Sequence, residues 1–450
     1  MIDAVRKLMS GSGLRAQLLR GGMGSMAVKV THALLAFFLA VVLARTLGPE
    51  GYGVYAFALA VLMLAAIPAK AGMPVLVVRE TARAQSNENW ALMRGLWRWA
   101  TRWVLLFSLI VMGVVAAVLF GVTGLEHPRA ATLAAGLFLI PLLALANIRG
   151  AALRGLRRVV QGQFPESVFR PALLLMAVLA VVFVVGRPDA LTPERVMGLY
   201  VAAALAAFVL GAWMLFRSRP AGVKAAPKPE YKNALWRHSV LPLALIAGLQ
   251  IINQQTDIVV LAIFREDTEV GIYRAAYQLA MLAVFGLQAM NMVVQPHFAR
   301  LYEQDEMMRL QKLVTTSARV ILLIALPVVL VLLFLGEHVI ALVFGEPYRE
   351  GAFALGVLAS AQLVNASMGS VGPLLNMSGY ERDTARAVGA AASGNLVLNF
   401  ILVPMYGMAG AAVSTALTLV MWNLLLRYYV KKRLGLEVFA IGIRVNPYPR

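Results

Sequence analysis

The sequence contains no cysteine and few charged residues, and both shortages exclude classes of protein. Without cysteine, the chain has no disulfides, no thiolate metal site and no cysteine nucleophile. Charged residues make up 14% of the 450 residues and hydrophobic residues 60%, whereas a soluble domain has about 25% charged residues. These proportions exclude a soluble globular fold.

The apolar residues lie in long uninterrupted blocks. WVLLFSLIVMGVVAAVLFGV begins at Trp103, and VILLIALPVVLVLLFLG begins at Val320. Runs of this length match a helix that crosses about 30 Å of hydrocarbon at about 1.5 Å per residue. We therefore predict an all-α polytopic membrane protein with twelve transmembrane helices. The predicted spans centre on residues 24–45, 52–73, 102–122, 131–149, 168–186, 196–216, 239–263, 270–293, 317–336, 352–375, 385–403 and 408–429.

Acidic residues are scarce: 22 Asp and Glu stand against 41 Lys and Arg, for a net charge of +19. By our assignment, about 31 of the 41 cations lie on one side of the membrane and about 6 on the other. The positive-inside rule then places both termini in the cytoplasm. Because the cations are dispersed over several loops, nucleic acid is not expected as a partner. The basic segments are residues 6–20, 79–98, 149–158, 217–237, 300–312, 382–386 and 431–433.

The most polar internal stretch, RSRPAGVKAAPKPEYKNALWR from Arg217, is rich in Pro, Lys and Ala. This composition predicts a flexible cytoplasmic linker over residues 217–237. It would join an N-terminal six-helix lobe, residues 1–216, to a C-terminal six-helix lobe with a basic tail, residues 238–450.

Two similar corners occur in the chain. LARTLGPEGYGVYAFALA begins at Leu43 and LAIFREDTEVGIYRAAYQLA at Leu261, and each follows the first predicted span of a lobe. Gly48 and Gly51 allow a tight turn, and Gly53 and Gly271 allow close helix approach. Since six spans are an even number, the two lobes would share one orientation. Duplicated halves of this kind frame a central pathway in transporters.

At these corners the sequence resembles a known family. LARTLGPEGYGVYAFALAVL from Leu43, AKAGMPVLVVRETAR from Ala69 and SGYERDTARAVGAAASGNLVLNFILVPMYGMAGAAVSTALT from Ser378 are similar to Wzx-type polysaccharide flippases. FPESVFRPALL from Phe164 and the position of Asp257 also fit. The family belongs to the MOP exporter superfamily, which also contains the MATE drug exporters and the lipid II flippase MurJ. The resemblance covers essentially the whole chain.

The resemblance implies two six-helix lobes that form a MATE-like V around a central cavity. It also implies a non-enzymatic flippase of the bacterial inner membrane, which moves undecaprenyl-(pyro)phosphate-linked oligosaccharide to the periplasmic leaflet by alternating access. The expected partners are this lipid-linked oligosaccharide and membrane lipids, with a polysaccharide polymerase and chain-length machinery beside them. Whether the pathway makes O-antigen, capsule, exopolysaccharide or teichoic acid is left open.

Charges within the predicted spans are candidates for the transport site, because such charges are costly in hydrocarbon. We predict that Lys29, Lys70, Arg274 and Arg170 face the substrate phosphate. Each has a structural alternative: the two lysines can snorkel to the interface, Arg274 can cap the outer corner, and Arg170 can anchor its helix. His32, three residues after Lys29, is expected to make a structural hydrogen bond.

Asp257 is the clearest acidic residue within a span. It lies in QIINQQTDIVVLAIF, where Gln250, Asn253, Gln254 and Asp257 form a polar stripe on one helix face. We predict that Asp257 couples transport to H⁺ or Na⁺, with an ion pair to a cavity cation as the alternative. The membrane potential alone is a further possible driving force. No other cofactor and no metal site are expected.

Amide side chains on the predicted spans are candidates for glycan recognition, because each offers donors and acceptors to sugar hydroxyls. Hydrogen bonding between helices is the structural alternative for every one of them. The predicted glycan-facing residues are Asn253, Gln254, Gln288, Asn291, Gln362, Asn365, Asn395 and Asn399.

Other functions fit the sequence less well. A MATE-type exporter of organic cations would need acidic and aromatic groups in its cavity, but the charges within these spans are mostly cationic. A major facilitator carries a Gly…Asp…Arg-Gly-Arg-Arg signature after its second span, which PVLVVRETARAQ from Pro74 lacks. A membrane glycosyltransferase or polymerase would need clustered carboxylates, whereas the acidic residues here are scattered over short corners.

Overall fold

The computed structural model describes residues 14–70, 72–123, 126–183, 191–225 and 228–440. Within these ranges the chain is almost entirely helical and contains no strand. Short π-helices at Leu119–Thr123 and Pro165–Phe169 and 3₁₀-helices at Met281–Val284 and Glu346–Gly351 interrupt the α-helices. The α-helices are α1 Leu14–Lys70, α2 Met73–Ser86, α3 Trp90–Val118, α4 Pro128–Gly136, α5 Leu139–Gly155, α6 Val159–Phe164, α7 Arg170–Phe183, α8 Pro193–Ser218, α9 Ala221–Ala225, α10 Asn233–Phe264, α11 Asp267–Ala280, α12 Phe285–Glu303, α13 Met307–Phe334, α14 Gly336–Phe344, α15 Ala352–Met368, α16 Val371–Met377 and α17 Glu381–Leu434.

Ten helical stretches in the described ranges are long and apolar enough to cross a membrane. Large apolar side chains such as Phe183 and Phe334, 78% and 80% exposed, project from them, as expected for surfaces in contact with lipid. The protein is therefore an all-α multi-pass membrane protein.

Two of the ten stretches are about twice the length of one crossing. The stretch at Met23–Lys70 has 48 residues, and α17 has 54. Each contains a glycine with non-helical backbone angles, Gly48 with φ 68° and Gly407 with φ 56°. Only glycine adopts such angles without a steric cost, so each long stretch consists of two rods that meet at a bend. The ten stretches thus have room for the twelve spans predicted.

The helices form two compact units. The first comprises residues 1–46 and 58–251, and the second comprises residues 47–57 and 252–450. In the first unit, α5 is the central helix and packs against α2, α3 and α8. In the second unit, α15 has this position and packs against α11, α13 and α17. These two helices correspond to the fourth predicted span of each half, so the packing repeats as the sequence does.

The second unit has a buried apolar cluster at the ends of its helices. Phe298, Leu310, Leu374 and Val430 are fully buried in it. Val438, beyond the end of α17, belongs to the same cluster. The chain after α17 is therefore anchored by burial of apolar side chains.

The two repeated corners pack directly on one another within the second unit. A Cβ atom on Gly53 would overlap the carbonyl oxygen of Asp267, and one on Gly271 would overlap the carbonyl oxygen of Pro49. The two glycines thus bring the backbones into contact, which the sequence predicted for Gly53 and Gly271.

The described part of the predicted linker lies against α3. The backbone N–H of Glu230 donates to the carbonyl of Ala91 at 3.1 Å, and Gly95 lacks the Cβ that would block this contact. Trp236 is fully buried, with its ring centroid 5.2 Å from that of Trp99. The segment is therefore fixed by specific contacts that its polar composition did not indicate.

Candidate functional site

Asp257 lies in the second unit at the centre of a polar cluster contributed by three helices. It projects from α10, Tyr273 from α11, and Asn395, Asn399 and Thr415 from α17. Asn395 and Asn399 are four residues apart and so share one helix face. The bend at Gly407 separates them from Thr415, so the two rods of α17 both supply partners of Asp257.

Four neutral donors surround the carboxylate. Oδ1 accepts from the side-chain amides of Asn395 at 3.1 Å and Asn399 at 2.8 Å. Oδ2 accepts from the hydroxyls of Tyr273 at 2.8 Å and Thr415 at 2.5 Å. Asp257 is 5% exposed. A buried carboxylate with this many donors has its lone pairs satisfied, while its negative charge has no cationic partner among these contacts.

The same cluster contains unused oxygen atoms. The amide oxygens of Asn395 and Asn399 are buried and have no hydrogen-bond partner among the described residues. Carboxylate, amide and hydroxyl oxygens are the ligands that hard cations prefer. The cluster therefore contains the kinds of oxygen that bind a small cation or a proton, which would take the place of one of the four donors at Asp257.

A half-buried carboxylate lies in the first unit, in the π-helix Pro165–Phe169. Glu166 accepts from Arg149 at 2.9 Å and from Arg170 at 3.0 Å. Arg149 also donates to the carbonyls of Ala207 at 2.9 Å and Phe208 at 2.7 Å. Glu166 is thus held between two guanidinium groups, and Arg149 links α5 to α8.

The predicted phosphate-facing residues of the first unit differ in their surroundings. Arg170 forms the ion pair with Glu166 and lies over the Tyr200 ring, 5.4 Å from its centroid. Lys70 is half-buried at the end of α1, near enough to Arg170 for their charges to repel. Lys29 is exposed and has no side-chain hydrogen bond within the described ranges.

His32 and Arg274 make structural contacts. His32 Nδ1 lies 2.9 Å from the carbonyl oxygen of Ser167, which is the structural hydrogen bond expected from the sequence. In the second unit, Arg274 hydrogen-bonds the buried hydroxyl of Tyr52 and lies over the Tyr277 ring at 5.9 Å. Arg274 therefore ties together residues of the two repeated corners.

The predicted glycan-facing amides fall into three groups by exposure. Gln254 and Gln288 are exposed, whereas Asn253, Asn291 and Asn365 are half-buried and Gln362, Asn395 and Asn399 are buried. The structure brings Asn395 and Asn399 to Asp257, which gives them a polar partner inside the protein. Asn365 donates to Gln362 at 3.1 Å and accepts from Asn423 at 3.2 Å, so this pair also bonds within the bundle.

Several residues of these clusters carry no signal in the sequence. Tyr273 and Thr415 lie in helices whose composition is typical of membrane spans, and Thr415 is 158 residues from Asp257. Arg149 was assigned to a basic loop, but the structure buries it in α5 with 5% exposure. Glu166, 17 residues further along the chain, is the acid that could have indicated an ion pair with Arg149.

The chain matches a known family over more than half of its length. The model of the polysaccharide biosynthesis protein family matches residues 18–302. A protein described as a probable low-salt glycan biosynthesis flippase, Agl15 of Haloferax volcanii, is 24% identical over 47% of this chain and 45% of its own length. The capsular polysaccharide biosynthesis protein CapF of Staphylococcus aureus is 26% identical over 42% of this chain and 47% of its own length. The matched region thus spans about half the length of these relatives.

Solved structures share the fold over nearly the whole chain. A multidrug resistance MATE family transporter superposes with a TM-score of 0.72 at 13% identity, covering 92% of this chain and 98% of the transporter. The lipid II flippase MurJ superposes with a TM-score of 0.69 at 14% identity, covering 90% of this chain and 87% of MurJ. The chain therefore belongs to the polysaccharide biosynthesis protein family and has the fold of the MOP superfamily.

Proposed function

We propose that the protein is a flippase that moves a lipid-linked oligosaccharide across a bacterial inner membrane. The family match carries this proposal, since relatives in polysaccharide synthesis are described as flippases. The substrate we propose is an oligosaccharide on undecaprenyl (pyro)phosphate, with both termini of the protein in the cytoplasm. Such a carrier has an anionic headgroup and an apolar tail, so its headgroup needs a polar cationic path while its tail stays in lipid.

Lys29 and Lys70 are the cations that we assign to the phosphate. Neither lysine has a hydrogen-bonded or ion-paired partner within the described ranges, whereas Arg170 is held by Glu166 and Arg274 by Tyr52. A lysine in an apolar helix is costly unless an anion or water accompanies it. The exposed amides Gln254 and Gln288 are assigned to the glycan.

Asp257 is the proposed coupling site for H⁺ or Na⁺. Its four neutral donors support this assignment over the alternative of an ion pair, which would need a cation among them. Coupling would act together with the membrane potential, which contributes about 2.3 kcal/mol per charge per 100 mV. An inside-negative potential favours outward movement of an anionic headgroup, so the two driving forces have the same direction.

The proposed cycle is alternating access, in which the headgroup binds from the cytoplasmic side and is released to the periplasmic side. The protein itself would break no covalent bond. A polysaccharide polymerase and chain-length machinery, which would consume the product, are expected as partners in the same membrane.

The assignment of Lys29 and Lys70 can be tested in proteoliposomes that contain a fluorescent lipid-linked oligosaccharide. We expect Lys29→Ala and Lys70→Ala to abolish flipping while inserting normally, because each removes a cation from the headgroup path. Lys312→Ala, an exposed lysine near the start of α13, is the matched control and should flip at the wild-type rate. Wild-type flipping by both variants would remove the two lysines from the site.

A MATE-type exporter of small molecules is the second candidate, because the MATE fold superposes with a TM-score of 0.72. The same proteoliposomes distinguish the two functions when loaded with ethidium. Ethidium efflux without movement of the labelled lipid would identify an exporter and contradict the flippase.

A further inference from the structure

The first unit contains a surface cavity that the proposed transport function does not use. The cavity has a volume of about 400 Å³, within the range of about 300–1,000 Å³ typical of ligand sites. One wall is a face of α3, whose residues are spaced by three and four, and the other is the segment that leads into α10. The lining residues are Trp99, Arg102, Trp103, Leu106, Tyr231 and Asn233.

The sequence of α3 determines the depth of the cavity in the membrane. Arg102 is the last charged residue before an uncharged stretch from Trp103 to Leu125, and the helix belongs to a membrane-crossing stretch. The guanidinium therefore lies where the hydrocarbon ends and the phosphate groups of the leaflet begin. Trp and Tyr side chains are enriched at that depth, in agreement with Trp103 and Tyr231 in the walls.

The cavity carries positive charge that the protein leaves uncompensated. Arg102 is exposed, as are Arg98 one turn before it and Lys232 beside Tyr231. None of the three side chains has a hydrogen-bonded or ion-paired partner in the part of the chain that the structure describes. The neighbouring acid, Glu230, lies 3.5 Å from the amide of Asn89. Three cations against one carboxylate favour an anionic ligand.

An apolar track leads from the cavity toward the middle of the membrane. Leu106, Ile110 and Val114 are each at least half exposed and follow one another at four-residue spacing along α3. A Cβ atom on Gly113 would meet open space, so no side chain interrupts the surface there. Aliphatic chains can lie along such a surface, whereas a soluble anion would gain nothing from it.

We propose that this cavity binds an anionic glycerophospholipid. The phosphodiester contacts Arg102, with Arg98 close by, and the glycerol region lies against Trp103 and Tyr231. One acyl chain follows Leu106 and the residues beyond it. Because the cavity is formed by α3 together with the segment before α10, the bound lipid fixes that segment to the membrane surface. The lipid is a resident of the protein, distinct from the transported substrate.

Native mass spectrometry of the full-length protein in detergent tests the proposal, with phosphatidylglycerol and phosphatidylcholine of identical acyl chains as probes. We expect the wild type to retain phosphatidylglycerol preferentially. Arg102→Gln should retain it about tenfold less tightly, the effect of losing one charge-assisted hydrogen bond. Arg102→Lys should stay near the wild type, because it keeps the charge.

Arg217→Gln is the matched control, since Arg217 is also an exposed arginine beside a tryptophan, 5.1 Å from the Trp213 ring, but lies outside the cavity. It should retain phosphatidylglycerol as the wild type does. Leu106→Trp, which fills the cavity and keeps every charge, should lose the lipid as Arg102→Gln does. This second variant also provides the test if Arg102→Gln fails to fold in a thermal unfolding assay.

Four results would overturn the proposal. The first is that the wild type retains phosphatidylcholine as well as phosphatidylglycerol, and the second is that Arg102→Gln and Arg217→Gln lose phosphatidylglycerol equally. The third is displacement of the lipid by soluble glycerol phosphate. The fourth is stronger retention of a polyprenyl phosphate than of phosphatidylglycerol at the cavity. The last result would assign the cavity to the substrate. None of the four depends on flipping activity, so failure here is distinguishable from failure of the flippase proposal.

Discussion

Two carboxylates, one in each unit of the protein, are stabilised in opposite ways. Glu166 in the first unit lies between the guanidinium groups of Arg149 and Arg170. Asp257 in the second unit receives hydrogen bonds from hydroxyls and amides, all of them neutral. The charge of Glu166 is therefore neutralised by the protein itself, whereas the charge of Asp257 has only neutral partners among these contacts.

This difference separates a carboxylate in an ion pair from a carboxylate that is hydrogen-bonded by neutral groups. Removal of one partner from a buried ion pair leaves the other charge uncompensated, which is strongly destabilising. Loss of a charge that is surrounded by neutral dipoles leaves no opposite charge behind. Substitution of the two acids should therefore affect stability at Glu166 and ion dependence at Asp257.

The largest effect is expected for Glu166→Gln. The substitution leaves Arg149, only 5% exposed, without its anionic partner, and we expect a loss of about 3–5 kcal/mol. The measurement is the midpoint of thermal unfolding in detergent, followed by tryptophan fluorescence. Glu306→Gln, which breaks an exposed pair with Arg309, is the control and should change the midpoint little. Similar midpoints for the two variants would show that the ion pair between Glu166 and Arg149 stabilises the fold no more than the exposed pair does.

Asp257→Asn should have a smaller effect on stability and a specific effect on ion response. If Na⁺ binds at Asp257, a concentration 100 times its dissociation constant stabilises the wild type by about 2.7 kcal/mol. Asp257→Asn should lose this stabilisation and the ion dependence of flipping. Thermal unfolding in NaCl against choline chloride, repeated over a pH series, distinguishes Na⁺ from H⁺. An unchanged response to both ions would place coupling elsewhere.

The smallest effect is expected for Glu437→Gln. Like Glu166, Glu437 is paired with two cationic side chains, but these pairs lie at the protein surface. Glu437 follows α17 and accepts from Lys431 at 2.7 Å and Arg427 at 3.1 Å. The hydrogen bond from Lys431, together with the charges of both cations, holds the pKa of Glu437 below its ordinary range. A lowered pKa in the folded state stabilises the protein above the pKa of the unfolded chain, and this stabilisation is lost as pH falls through the folded value.

Because Lys431 is 67% exposed, solvent screening limits the contribution to about 1 kcal/mol or less. Glu437→Gln should therefore lower the unfolding midpoint slightly at pH 7 and by less at acidic pH, because protonation of Glu437 removes the same charge from the wild type. Glu303→Gln, at an exposed glutamate of α12, is the control and should leave the midpoint unchanged at either pH. A larger decrease in the unfolding midpoint at acidic than at neutral pH would contradict a stabilising role for the lowered pKa of Glu437.

The sequence was sufficient to predict the fold class, because long apolar blocks have few alternatives to membrane helices. It also predicted close contact at Gly53 and Gly271, since repeated glycines beside aromatic residues indicate tight packing. The turn predicted at Gly48 lies where the first long helix bends. The helical hydrogen-bonding pattern continues through Gly48 and Gly407. Each of these two stretches is therefore one helix in the structure, whereas the sequence predicts two spans for each.

The candidate sites were predicted only in part. The polar stripe identified Asp257, because an acid in an apolar helix is conspicuous. Its partners Tyr273 and Thr415 were not identified, since hydroxyls are common in membrane helices and contacts over 158 residues depend on packing. Arg149 was misplaced for a related reason: a basic run at the end of a span looks like a loop unless its acid partner is known.

The π-helix at Pro165–Phe169 has a mechanical consequence. Each π turn contains one residue more than an α turn, so the wide turn that holds Glu166 carries an inserted residue. If that residue shifted along the helix, the chain between its old and new positions would rotate by about 100°. If the shift were toward the C-terminus, Arg170, the first residue after the π-helix, would swing away from Glu166 and the Tyr200 ring. Such a shift would thus release this guanidinium from the carboxylate with which the protein pairs it.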